Sequence, residues 1–419
     1  MNSVTSKCAV GLPQSVVHVM NAAGGGAAIS TLGLIEKFQE AGIRSSAVCH
    51  PMGSAEERQR LQDAVSGRVL FTPLYWMTKK IRAPLWKRPL QELRQLWRTG
   101  LGRKSAQLVA DFAQAQRAEL IHTNTITNPE GAYAARRLSV PHVWHLRELL
   151  GPGQPFRLPY EGPAFGHYMR ANCSKLVANS HASAALVRDW LPAGLLEIVP
   201  NGIDLSQFTP RADWSHPAPV VVGMVGNITS RVKKHALFIE AAARMPRDLP
   251  VEFRIYGTDP SRGGTLSGDS YADGLHRQLE RLGMKERFRW PGFVSEPAQI
   301  MREIDVLVQP HEAESFGRVA VEAMAAGLPV VGVRGGGGGE IVEHEVTGLL
   351  AEPNDPEQLA QHIERLVRDA AMQRRFGEAG RARAEQRYSL EACAAAILKV
   401  YEQVMSHREA APFERLETP

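Results

Sequence analysis

The sequence predicts an α/β protein made of two doubly wound halves. Three observations carry that prediction. Short β-branched and apolar runs alternate with helix-period stretches, the alternation breaks at Leu205–Pro219, and a second alternating series follows. Buried strands that alternate with helices form parallel sheets covered on both faces. The break, LSQFTPRADWSHPAP, is rich in proline and polar residues and reads as a linker. The expected organisation is a first domain over 1–204, a linker over 205–218, a second domain over 219–388, a closing helix over 389–406 that packs back on the first domain, and a tail over 407–419.

The strands of the first half are expected at Val16–Met20, Ser45–Cys49, Leu120–His122, His142–His145 and Leu176–Ala178. A helix over Ile29–Ala41 places Leu32, Ile35 and Phe38 on one face. The second series runs through Val220–Val225, Phe253–Tyr256, Phe288–Trp290, Val306–Val308 and Val330–Val333. Asp355–Arg383 and Leu390–Val404 read as closing helices.

Composition narrows the class. The 419 residues are 44% hydrophobic and 22% charged, which is ordinary for a globular chain. No run of about 18 apolar residues is present. The first 15 residues hold one lysine and no long apolar run, so no secretory signal and a cytoplasmic location are expected. Cys8, Cys49, Cys173 and Cys393 are far apart and have no metal-ligand spacing; they read as reduced thiols. A net charge of +5 is mild, but it clusters. KKIRAPLWKRPLQELRQLWRTGLGRK, from Lys79 to Lys104, sets many cations against one acid, Glu92, with Trp86 and Trp97 interleaved. Two readings stand: a solvated helix face, or a segment that lies on an anionic membrane surface. No nucleic-acid-binding module accompanies it, so nucleic acid is not an expected partner.

Open α/β sheets bind ligands beyond the carboxyl ends of their strands, so the strand-to-helix junctions carry the chemistry. Asn21-Ala22-Ala23-Gly24-Gly25-Gly26 follows the first strand and opens a helix. It suits either a tight turn or close approach to an anion. It is not a dinucleotide fingerprint, because Ile29 stands where the third glycine would be. Val222–His235, VGMVGNITSRVKKH, ends a strand and brings Arg231, Lys233 and Lys234 together, as a diphosphate clamp or as a solvated loop. His311–Glu340, HEAESFGRVAVEAMAAGLPVVGVRGGGGGE, holds Glu314 and Glu322 with seven residues between them. A helix that starts near Ser315–Gly317 turns unpaired N–H groups toward a ligand. Glu314 lies just before it and Glu322 about two turns inside. A carboxylate can accept two hydroxyl hydrogens and so read a sugar diol. The alternatives are a dipole partner for Glu314 and a surface acid for Glu322.

At these residues the chain resembles the retaining glycosyltransferases of the GT-B fold, family 4 (glycosyl transferases group 1), in which two Rossmann-like domains face each other across a cleft. The resemblance rests on VPNGID (Val199–Asp204), VGNI with the basic residues after it, RWPGFV (Arg289–Val294), ESFGRVAVEAMAAGLPVV and GGGGGEIVEHEVTGLL, in that order. It implies transfer of a hexosyl group from a UDP- or GDP-linked sugar to a hydroxyl, with retention at the anomeric carbon. It assigns Glu314 to the donor sugar's hydroxyls, Glu322 to the ribose diol, and the backbone N–H groups around Phe316, Gly317, Arg318 and Val319 to the sugar and phosphates. Lys233 would stabilise the departing diphosphate, and Gly24, Gly25 and Gly26 would close over it. His145, in VWHLRE, matches a histidine near the site of transfer.

The chain departs from the family pattern at Asn227, where an arginine is usual; Arg231 is the candidate replacement. No Asp-x-Asp occurs, so no metal and no other cofactor are expected, and protein cations take the metal's place. With the basic segment, the resemblance points to a glycan or lipid-linked acceptor and to surface polysaccharide or lipopolysaccharide assembly at the inner face of the cytoplasmic membrane. The rivals are a nucleotide-sugar epimerase of the same architecture, a dinucleotide dehydrogenase, and a non-catalytic membrane-associated scaffold.

Overall fold

A computed structural model describes residues 11–408 except 78, 81–87, 150–155, 159, 215–218, 229–230 and 259–270. The chain forms two compact units: residues up to Gly202 together with the segment from Leu390, and Ile203–Ser389.

The first unit holds β1 (Ser15–Met20), β2 (Arg44–Cys49), β3 (Val69–Phe71), β4 (Lys79–Lys80), β5 (Leu120–Thr123), β6 (His142–Leu146), β7 (Phe156–Arg157), β8 (Lys175–Ala178) and β9 (Leu196–Ile198). Its helices are α1 (Gly26–Glu40), α2 (Ala55–Ala64), α3 (Arg88–Ala115), α4 (Glu130–Leu138), α5 (Pro163–Asn172) and α6 (His181–Ala185). Seven strands form one parallel sheet in the order β3-β2-β1-β5-β6-β8-β9, and β4 pairs with β7 apart from it. The order reverses between β1 and β5, and the glycine turn follows β1.

The second unit holds β10 (Val220–Val225), β11 (Val251–Tyr256), β12 (Phe288–Gly292), β13 (Val306–Gln309), β14 (Val330–Val333) and β15 (Gly348–Ala351). Helices α7 (His235–Arg244), α8 (Tyr271–Arg281), α9 (Pro297–Glu303), α10 (Arg318–Ala325), α11 (Gly336–Ile341), α12 (Pro356–Arg368) and α13 (Ala370–Arg387) cover it. The sheet runs β12-β11-β10-β13-β14-β15, all parallel. That is the doubly wound order, whose switch point lies between β10 and β13. One face of the sheet packs Phe238, Phe253 and Phe288 ring against ring, and the other buries Leu307, Val321, Met324 and Val330.

The final helix, α14 (Leu390–Arg408), belongs to the first unit. Its apolar residues Leu390, Cys393, Ala394, Ile397, Val400, Tyr401 and Val404 recur at helical spacing and are buried against Leu34 and Phe38 of α1 and Val16 of β1. The expected linker is a correction. Leu205 and Phe208 are buried in the second unit's core, and Arg211 pairs with Asp305 at 2.6 Å, so residues 205–211 are folded onto that unit. Two apolar anchors inside a polar, proline-rich stretch explain the misreading; residues 215–218 lie outside the described residues. The short strands β3, β9 and β15 were not expected from the sequence.

Most of the basic segment's side chains lie outside the described residues; its backbone enters α3 at Arg88. Among the described residues no helix is long and apolar enough to cross a membrane.

Candidate functional site

The switch point of the second unit brings together one predicted cation and one predicted acid, Lys233 and Glu314. Past the end of β10, Gly226 leaves room for the Lys233 stem, since a Cβ there would lie 3.2 Å from Lys233 Cγ. The 3₁₀ turn Arg231–Lys233 aims the Lys233 ammonium across to the loop after β13, where it donates to Glu314 Oε2 at 2.6 Å. The two side chains are 32% and 23% exposed, so the pair is accessible to a ligand and only partly screened by water. Together with Met224, Pro310, His311 and Val319 they line a small cavity at the ends of β10 and β13. A roomier groove beside His276, Lys285 and Trp290 lies at the β12 edge of the sheet, away from the switch point and its charges.

His311 sits under the pair, 4% exposed, with its Nε2 3.7 Å from Glu314 Oε2. Burial, reinforced by the Lys233 ammonium, pushes its pKa down to about 3, so the ring is neutral at physiological pH. His311 is a site residue that the motifs did not single out; its position two residues after the strand Val306–Gln309 and three before Glu314 is the available signal.

Helix α10 starts at Arg318 with Gly317 as its N-cap at φ +97°, and no side chain caps its first N–H groups. Those donors and the helix dipole make an anion-receptive end beside Lys233 and Glu314. Phe316 is buried and packs edge-on against Tyr388, so its side chain anchors the loop and only its backbone is available to a ligand. Glu322 lies one turn into α10, not two, because the helix starts later than expected. It is 3% exposed and accepts from Arg318 Nε at 2.7 Å. Burial raises its pKa, with Arg318 opposing. It is not a surface acid.

The glycine run serves this loop. A Cβ on Gly336 would lie 2.1 Å from the Glu312 carbonyl oxygen, and one on Gly337 would lie 2.3 Å from that of Ser315. The Gly337 N–H donates to the Glu314 carbonyl at 2.7 Å. Glycine therefore lets two backbones touch and holds residues 312–316 in place.

Arg231 does not join the Lys233–Glu314 pair. Its guanidinium lies over the Tyr271 ring, 5.6 Å from the centroid. Asn227, where the family arginine is usual, turns away and accepts from the Thr258 N–H at 3.2 Å.

In the first unit, Gly25 caps α1 at φ +86° without a side-chain bond, and Gly25 and Gly26 are exposed. Gly24 packs against the Glu57 carboxylate, which would have to shift to admit a Cβ there, 2.0 Å away. His145 is a correction. It lies inside β6, is fully buried and stacks on His122 with centroids 5.5 Å apart. Burial drives its pKa well below the usual histidine value, so it is a neutral packing group that presents no surface to a substrate. The strand ends at Leu146, and the polar residues just beyond it are Arg147 and Glu148.

Comparison with known proteins follows the same division. Residues 24–207 match the family Glycosyltransferase Family 4, and residues 210–383 match Glycosyl transferases group 1. A D-inositol 3-phosphate glycosyltransferase of Segniliparus rotundus is 32% identical over 255 residues, 58% of this chain and 55% of that protein. The chain thus spans about half the length of that relative. An uncharacterized glycosyltransferase of Methanocaldococcus jannaschii is 27% identical over 70% of this chain and 78% of its own length. Among solved structures, Anabaena HepE in complex with UDP superposes with a TM-score of 0.74 at 23% identity, covering 93% of this chain and 100% of that one, a likeness of fold.

Proposed function

The chain belongs to the group 1, family 4 glycosyltransferases, and on that premise we propose that it transfers a hexosyl group from a UDP- or GDP-linked sugar to an acceptor hydroxyl, with retention at the anomeric carbon. The observation that carries the reading is the Lys233–Glu314 pair at the β10/β13 switch point, beside the uncapped start of α10. When the bond from the anomeric carbon to the diphosphate breaks, negative charge grows on the leaving group and positive charge on the sugar. Lys233 and the α10 N–H groups meet the first, and the Glu314 carboxylate, which reads the sugar's hydroxyls, stands near the second. Glu322 binds the ribose diol. The glycine turn Gly24–Gly26 supplies a further anion-accepting backbone in the first unit. Protein cations replace a metal clamp.

The acceptor is a glycan or a lipid-linked glycan, in surface polysaccharide or lipopolysaccharide assembly, with the basic segment from Lys79 to Lys104 resting on an anionic membrane. The name of the Segniliparus relative favours a second acceptor class, a phosphorylated cyclitol. A thermal-shift screen of nucleotide sugars, with UDP-glucose first, identifies the donor. A transfer assay with glycan, lipid-linked and inositol phosphate acceptors then identifies the product. Release of nucleoside diphosphate that depends on acceptor supports the transferase. A chain that no nucleotide sugar stabilises, and that releases no diphosphate, would overturn it.

A further inference from the structure

Lys233 is followed by a second lysine whose contacts are as specific as its own. The Lys234 ammonium donates to both Glu312 oxygens at 2.6 Å and to Asn354 Oδ1 at 2.7 Å. Consecutive lysines thus engage alternate glutamates of the facing loop: Lys233 takes Glu314 and Lys234 takes Glu312. Burial works against ionisation of Glu312, yet the Lys234 ammonium outweighs it and holds that carboxyl below its usual value.

The backbone shows that Lys234 is kept at a cost. It caps α7 in the left-handed region, at φ 54° and ψ 42°, with no side-chain bond to the helix. Glycine adopts that conformation without steric penalty and lysine does not. What lysine adds is its ammonium and three acceptors. Asn354 precedes α12, and Glu312 belongs to the loop against which the glycine run packs. The contacts therefore join three segments around the Lys233–Glu314 pair.

We propose that Lys234 and Glu312 form a fixed strut that positions Lys233 and Glu314 for the donor diphosphate, with Lys234 acting through Glu312 and not as a phosphate ligand. The proposal rests on the transferase reading above. With its charge met by Glu312, Lys234 adds little attraction for phosphate. With its neighbour's backbone tied to the facing loop, Lys233 can exchange Glu314 for phosphate while the loop stays in place.

Calorimetric titration of the full chain with UDP and with GDP, alongside thermal melting, tests this. Lys234→Gly relieves the backbone and removes the strut. It is expected to melt at or above the wild-type temperature, because glycine accepts the left-handed backbone, and yet to bind the diphosphate about tenfold more weakly, because its charged partners are no longer held in place. Lys234→Glu and Glu312→Lys each weaken binding comparably, and the double exchange restores it to within about threefold. If Lys234→Gly binds as the wild type does, or if the exchange rescues nothing, the strut is wrong. If Glu312→Gln tightens diphosphate binding, Lys234 is itself a phosphate ligand and the positioning role fails. A wild-type chain that binds neither UDP nor GDP overturns the transferase reading first, and this inference with it.

Discussion

Lys233 Nζ and Glu314 Oε2 are 2.6 Å apart in space and 81 residues apart in sequence. The contact joins the turn after β10 to the loop after β13, the two strands that flank the switch point of the second sheet. On the proposed function each partner has a separate task toward a nucleotide sugar, and donor binding would exchange this ion pair for two sets of ligand contacts.

Glu314→Ala is expected to lower turnover by orders of magnitude while the melting temperature changes little, because the loop backbone is held by the glycine run and Phe316. Turnover within about threefold of wild type would remove Glu314 from the reacting centre. Glu322→Ala acts differently. It is expected mainly to raise the donor KM, with some loss of stability because Arg318 loses a buried partner.

Lys233→Ala is expected to cost about 2–4 kcal/mol of transition-state stabilisation, the scale of one preorganised electrostatic partner. Arg231→Ala is expected to be nearly neutral in kcat, since its guanidinium covers Tyr271 and not the carboxylates. Steady-state kinetics of the two variants decide the matter. Equal losses would place Arg231 in the clamp after all.

Gly336→Ala is expected to destabilise the second unit by about 1–3 kcal/mol, because it adds a Cβ at φ +59° and 2.1 Å from the Glu312 carbonyl oxygen. Donor binding falls with it. Chemical denaturation against wild type measures the first effect, and an unchanged midpoint would contradict the packing role given to the glycine run.

Burial holds the pKa of His18 and His311 down to about 3 and that of His142 to about 4. In the folded chain these rings are neutral; in the unfolded chain they take up a proton near pH 6.5. Their stabilising effect is complete above about pH 6.5 and is lost as the pH falls toward 4 and 3. Each such histidine contributes a slope of about 1.4 kcal/mol per pH unit in that window. Melting temperature is expected to fall steadily from pH 6.5 to 5; a flat profile would show that the rings are solvated.

For the membrane part of the proposal, flotation with anionic vesicles is the measurement. Binding is expected to weaken with salt and on neutralising Lys79, Lys80, Arg82, Lys87 and Arg88. No binding at low salt removes the membrane surface from the proposal and leaves the second unit's chemistry untouched. Activity that EDTA abolishes and magnesium restores would overturn the metal-free clamp.

The sequence by itself determined the architecture. Buried parallel strands need unbroken β-branched runs, and the covering helices need a 3.6-residue period, so the central strands of both sheets and α14 were legible in local pattern, while the short strands β3, β9 and β15 were not. The placement of Glu314, Lys233 and the start of α10 at strand-to-helix junctions was legible too, because a junction is marked by local pattern. Tertiary structure decided what depends on partners distant in sequence. His145 resembled a site residue until the sheet and its stack on His122 buried it. Only the fold shows that the Arg231 guanidinium lies over Tyr271, and residues 205–211 looked like a linker until Leu205 and Phe208 found the core. The Lys234–Glu312 contact, with 78 residues from one partner to the other, had no signal in either segment alone, since an ion pair is written in a sequence only as two charges whose distance the fold must supply.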